Sequence, residues 1–304
     1  MKKFNWQKIT GFLVPVIIFY FLIRAVTANF AAISEFDFNF RYFNLILSIV
    51  FIFFNSLLAA LILKYFFLHS GFYLRFTDML RVYSFSQLAK YIPGGIWLYL
   101  IRFRYLSKNV SKESFVVVSS LENAVYVLSG FFLTSFISAQ IFTTAKFQVV
   151  AAIIVITILV VLLMPKLFYF FINLALRALK KDGKNDFKKI GRGPLLITLL
   201  GSSLNWLLVG IGYFFFLSSF LPVGFTRLPW FIAVFAASVT AGYVFVIAPG
   251  GLGVREGIMV LLLESVFGLE IATVIAIATR LWSAISEALI AGLISVFSKN
   301  KLEK

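Results

Sequence analysis

Cysteine is absent, and with it go disulfides, thiol nucleophiles and thiolate metal sites. A single histidine, His69, stands in 304 residues, so no histidine-cluster metal site or two-histidine relay can form, and we read His69 as an interfacial residue. Acidic side chains number 12 against 28 lysines and arginines, and charged residues of either sign make up only 13% of the chain. What fills the space is apolar: 61% of residues are apolar and 18% of the chain is aromatic, with 38 phenylalanines and a mean hydropathy of +0.98. Repeated apolar stretches with single interruptions need lipid around them, which excludes an ordinary water-soluble domain and predicts an all-α polytopic membrane protein.

The net charge of +16 would ordinarily raise nucleic acid as a partner. The bases lie mostly beside apolar spans, however, which reads as positive-inside topology and contact with anionic lipid headgroups, and nucleic acid is not expected.

Six full crossings are expected, over about Gly11–Val26, Leu45–Leu63, Phe115–Phe136, Val149–Met164, Leu195–Phe220 and Ile271–Phe297. The first follows Lys2, Lys3 and Lys8 and ends on Val26-Thr27-Ala28, so it reads either as a retained anchor or as a cleaved signal peptide. Two further stretches break in the middle. Phe72–Phe103 carries Arg75, Asp78, Arg81 and Lys90 before Pro93-Gly94-Gly95, and Arg102 and Arg104 after it. Such a segment cannot cross exposed to lipid, and a re-entrant helical hairpin covered by protein is expected. Trp230–Gly268 repeats the pattern around Pro249-Gly250-Gly251; its halves are more apolar, so it is either re-entrant or two full crossings.

Charge orients this layout. With both termini cytoplasmic, Arg24, Arg41, Lys146 and Arg227 fall outside, Arg255 and Arg280 lie within the membrane, and the remaining bases collect inside, including the basic loop 177–193. The localisation that follows is an inner, cytoplasmic-type cell membrane. The two hairpins then enter from opposite sides, each after two spans and before one. Tyr91-Ile92-Pro93-Gly94-Gly95 aligns with Ile247-Ala248-Pro249-Gly250-Gly251 at an offset of about 156 residues, so a single membrane domain of two inverted pseudo-repeats is expected, about 11–137 and about 149–297.

Proline starts a helix without wasting an amide and glycine lets backbone approach a ligand, so each Pro-Gly-Gly can open a half-helix whose amino end attracts an anion. Gly253, Arg255 and Glu256 follow the second break closely, as Arg102 and Arg104 follow the first. The expected ligand is a lipid phosphate, with Arg255 nearest the midplane. The plainer reading makes Pro-Gly-Gly a tight bend, Arg255 and Glu256 a local ion pair, and Arg102 and Arg104 a basic interfacial rim. Arg280, Ser283 and Glu287 form one polar stripe over two helical turns of the last span, with Glu122 as an expected partner from the third. That set either serves the substrate, by balancing the arginines or carrying protons, or only locks helix packing. Asp78 is expected to pair locally with Arg75 or Arg81, Glu264 is undecided between burial and the outer surface, and Trp6, Trp97 and Trp230 read as interface anchors.

Tyr91 to Gly95, Glu122, the run from Pro249 through Gly253 and Arg255 to Gly257, and the Arg280-to-Glu287 span together resemble the membrane region of the lysylphosphatidylglycerol synthase family, in its stand-alone flippase-like branch. The resemblance covers nearly the whole chain and implies movement of lipids between leaflets. It also implies possible work beside envelope glycosyltransferases or lipid-modifying enzymes. No aminoacyl-transfer domain follows the last span before Lys304, so synthase activity is not carried over. No Gly-rich nucleotide loop or Walker motif is present, and no cofactor is expected.

The leading expectation is therefore a lipid translocase for glycerophospholipids or polyprenyl-phosphate-linked sugars, with self-association possible. The alternatives are a non-transporting membrane subunit that docks a glycosyltransferase or synthase through 177–193, and an intramembrane lipid-modifying enzyme using Glu122, Glu256 and Glu287 as acid or base.

Overall fold

A computed structural model describes residues 40–91, 96–141, 189–244, 251 and 253–296. Among them there are eight α-helices and no strands: α1 (Tyr42–His69), α2 (Phe76–Leu88), α3 (Trp97–Leu106), α4 (Lys112–Ile141), α5 (Arg192–Ser218), α6 (Leu228–Val244), α7 (Val254–Phe267) and α8 (Leu269–Val296). Single 3-10 turns extend α2 at Ala89–Tyr91 and precede α6 at Phe225–Arg227.

Five helical segments are long and apolar enough to cross a membrane: Tyr42–His69, Lys112–Ser135, Arg192–Ser218, Phe225–Val244 and Leu269–Val296. Four of these coincide with expected crossings. The crossings expected at 11–26 and 149–164 lie outside the described residues. The fifth segment is the first arm of the second broken stretch, and its 20 residues match a hydrocarbon core of about 30 Å. By contrast α2, α3 and α7 have 13, 10 and 14 residues, about 15–21 Å at ~1.5 Å per residue, too short to cross alone.

Local chemistry sets the helix ends. Ser111 Oγ accepts the Ser114 N–H at 3.3 Å at the start of α4, with Glu113 favourably placed against the positive end of the first turn. Pro194 and Pro229 occupy the first turns of α5 and α6, where a missing N–H breaks no helical bond. At the start of α7, Gly253 adopts φ +80° and its N–H donates to Glu256 Oε2 at 2.8 Å.

The centre of the bundle is an antiparallel pair, α1 against α5. Arg41 N–H donates to Ser219 O at 2.7 Å at one end, Gly212 lies beside Ser48 and Phe51 further along, and Gly201 lies beside Ile62 near the other end. Around this pair sit two apolar cores. One gathers Trp206, Tyr213, Phe231 and Trp282 from α5, α6 and α8; the other gathers Phe66, Phe67, Met79 and Val118 from α1, α2 and α4. Polar side chains tie helices together where no water is available: Trp206 Nε1 donates to Ser129 Oγ at 3.1 Å and Trp282 Nε1 to Ser48 Oγ at 3.0 Å.

Helix α8 shows how sequence becomes orientation. Leu281, Ile285, Leu289 and Leu293 recur every four residues and are exposed on the outside of the bundle, as a lipid-facing stripe requires. Arg280, Ser283 and Ser286 on the other side are buried, and Glu287 is half-buried. From Leu281 to Leu293 the outer face is entirely apolar, while the inner face mixes packing residues such as Ile275, Trp282 and Ile290 with the polar stripe.

Candidate functional site

The inner faces of all eight helices line one cavity of about 110 Å³. Its wall is polar and ionic where the helices meet. Arg102 on α3 is buried and donates from Nη1 to both oxygens of Glu122 on α4, at 3.1 and 2.8 Å, and from Nε to Ser86 Oγ at 2.9 Å. Lys90, in the turn after α2, donates to Glu287 Oε1 on α8 at 2.5 Å. Both pairs satisfy the requirement that charges away from water find partners.

Arg255 is different. It lines the cavity from the first turn of α7, stands 5.2 Å from the centroid of the Phe235 ring, and donates from Nη2 to Ser283 Oγ at 3.4 Å. Ser283 Oγ in turn donates to Thr279 O at 2.9 Å. No carboxylate among the described residues forms an ion pair with Arg255. Its sequence neighbour Glu256, the partner expected for a local ion pair, turns away: Glu256 Oε1 accepts from Arg280 Nη1 at 2.8 Å, and Oε2 accepts the Gly253 N–H. The amino end of α7 is thus already closed by a carboxylate, and the cation facing the cavity is the Arg255 guanidinium.

Four sequence candidates, Arg102, Glu122, Arg255 and Glu287, meet at the cavity wall. Arg280 sits beside it, 5.8 Å over the Tyr91 ring, with Glu256. Arg102 does not belong to an interfacial rim, being fully enclosed by Ser86, Glu122 and the Tyr83 ring at 5.5 Å; Arg104, two residues on and facing the other way, is exposed. Glu122 takes Arg102 rather than the expected Arg280 or Glu287. Pro93, Gly94, Gly95, Pro249 and Gly250 lie outside the described residues. Gly251 has φ +68°, and a Cβ there would fall 2.7 Å from Gly242 Cα, so this glycine admits a close approach to the end of α6.

No protein-family model matches the chain, and no curated protein matches it. The site therefore rests on its own geometry.

Away from the cavity, Asp78 pairs with Arg75 at 2.9 Å on the surface, as expected, and Glu264 is exposed. Among the described residues no group of acidic or histidine side chains is arranged to hold a metal ion.

Several cavity residues escaped the sequence reading as site residues. Lys90 looked like one more inner-face base. Asn55 and Asn205 lie in the apolar spans of α1 and α5, and each Nδ2 donates to the other's backbone carbonyl, at 2.9 and 2.8 Å. An amide deep in an apolar run was the available signal. Ser84, 5% exposed, lines the cavity with an Oγ that has no hydrogen-bond partner. Tyr83, Tyr99, Tyr126 and Tyr243 complete the wall. Aromatic abundance in a membrane protein conceals which rings face inward.

Proposed function

We propose that the chain is a lipid translocase that admits an anionic headgroup to the cavity while the lipid tails stay in the bilayer. The observation that carries this reading is Arg255, a cavity-lining guanidinium that forms no ion pair with a carboxylate among the described residues, where the other charges on the cavity wall are paired. Arg255 is half-buried, and a guanidinium held inside the bundle without a carboxylate is costly, a cost that an anion entering and leaving would offset reversibly. The resemblance of Tyr91 to Gly95, Glu122 and the run from Pro249 to Gly257 to the membrane region of the lysylphosphatidylglycerol synthase family favours the same activity.

The reading includes two inverted halves with re-entrant hairpins in a cytoplasmic membrane, both termini inside. Three observations support it. Asn55 and Asn205 exchange equivalent bonds across the antiparallel α1/α5 pair. The α3/α4 and α7/α8 pairs are each bridged by one ion pair, Arg102–Glu122 and Glu256–Arg280, with the signs exchanged. The basic residues fall overwhelmingly on one side of the layout.

The test is lipid movement in proteoliposomes of purified protein, read by chemical quenching of a fluorescent anionic lipid in the outer leaflet. The expected result is faster loss of the protected inner-leaflet pool than in empty vesicles, slowed at least tenfold by Arg255→Ala. If no candidate lipid moves, or Arg255→Ala moves it equally well, the reading fails.

A further inference from the structure

Resting on the lipid-binding reading above, we infer that the cavity selects a headgroup with one negative charge: a phosphodiester whose remaining substituent is neutral and carries hydroxyls. The charge count leads to the first half. Of the five ionised side chains on the wall, Lys90 is taken by Glu287 and Arg102 by Glu122, which leaves Arg255. Arg280 and Glu256 beside it cancel each other. Outside the described residues, the sequence stretches 11–23, 92–95, 147–165 and 245–250 contain no charged residue.

One monoanion closes this count. A zwitterionic headgroup would leave the net charge of Arg255 uncompensated, even though its ammonium could reach the open Oε2 of Glu287, because that carboxylate's charge is already balanced by Lys90. A pyrophosphate, with two or more charges, would leave at least one negative charge bare or force an existing ion pair open. In a space sheltered from water each mismatch carries the desolvation penalty of an unpaired charge.

The rest of the wall leads to the second half. Ser84 belongs to the wall, and its Oγ is buried without a hydrogen-bond partner, a cost that a small rotation toward a ligand hydroxyl or a water would relieve. Gln87 and Asn123 add neutral amides that both donate and accept. Tyr99 and Tyr243 add ring faces that suit C–H surfaces together with hydroxyls that suit O–H groups. A volume of about 110 Å³ corresponds to roughly four waters at liquid density, room for the phosphate and the first hydroxyl-bearing carbons of its substituent. Glycerol on a glycerophospholipid and a hexose on a polyprenyl phosphate share this chemistry.

The experiment measures binding of the full chain in nanodiscs to a panel of defined lipids, separately from transport. The panel holds phosphatidylglycerol, polyprenyl-phosphohexose, phosphatidylmethanol, phosphatidylethanolamine and a polyprenyl-pyrophosphate sugar. Phosphatidylmethanol has the same charge as phosphatidylglycerol and no hydroxyls. At least one of the first two is expected to bind tenfold or more tightly than either the zwitterion or the pyrophosphate, and the comparison between those two identifies the source. Arg255→Gln is expected to abolish the preference for the monoanion. Ser84→Ala is expected to narrow the gap between hydroxylated lipid and phosphatidylmethanol while leaving the charge preference intact. Equal or tighter binding of the pyrophosphate or zwitterion overturns the charge assignment, and equal binding of phosphatidylmethanol overturns the hydroxyl assignment. Selective binding without movement in proteoliposomes would sink the translocase reading alone; movement without this selectivity would sink the present inference alone.

Discussion

Asn55 and Asn205 hold each other's backbone: each side-chain amide of the pair donates to the carbonyl of the other residue, across the middle of the antiparallel α1/α5 contact. Both are buried in the cavity wall, away from the outer surface of the bundle. The pair fixes the axial register of two helices whose other contacts are largely apolar and would tolerate sliding.

Asn55→Ala is expected to cost about 0.6–1.7 kcal/mol, the range for an interhelical hydrogen bond in a membrane protein. Asn205→Ala should cost the same. The double variant should cost less than the two singles added, because the two bonds constrain one contact. Reversible unfolding in mixed micelles measures all three; additive effects would show that the bonds act independently.

Glu122→Gln strands the Arg102 guanidinium in the bundle and is expected to destabilise by about 3–5 kcal/mol. Replacing both partners with apolar residues, Arg102→Met with Glu122→Leu, should recover most of that loss, since no bare charge remains. The comparison of melting midpoints in detergent checks it, and a double variant as unstable as Glu122→Gln would mean that Ser86 and neighbouring rings, rather than charge, dominate this site.

Gly251 and Gly253 both have positive φ, but only Gly251 is crowded. Gly253→Ala should cost about 1–3 kcal/mol, the strain of placing an L side chain at φ +80° and ψ −43° with open space around it. Gly251→Ala adds a clash with Gly242 backbone and should cost several times more, or block folding. Expression of monodisperse protein and its thermal midpoint separate the two, and equal behaviour would contradict the close approach of α6 to the start of the second arm.

Asp78→Asn breaks an exposed pair with Arg75 and should change stability by less than about 1 kcal/mol, with a further decline of the effect at high salt. A large or salt-independent loss in the same unfolding assay would show that this pair has partners beyond the surface.

The spans of α1, α4, α5 and α8 were legible because a long apolar run is a local property of the chain, and so was the inward polar side of α8, since Arg280, Ser283 and Glu287 share one face by helical period alone. Gly251 and Gly253 were legible as candidates for special backbone, and both adopt positive φ. The pairing of charges was not. Arg255 and Glu256 are neighbours in sequence, yet successive helical residues point about 100° apart, so one reaches the cavity while the other turns to Arg280 and the helix end. Lys90 and Glu287, 197 residues apart, meet only because α2 and α8 pack together, and no periodicity carries that information.

Hydropathy and the period of the α-helix thus determined which segments seek lipid and which faces turn inward, because both follow from a residue and its near neighbours. Helix crossing and rotation decided which cation each carboxylate neutralises, and therefore which one is left facing the cavity, because a Coulomb partner is chosen by distance in space, and distance along the chain does not supply it.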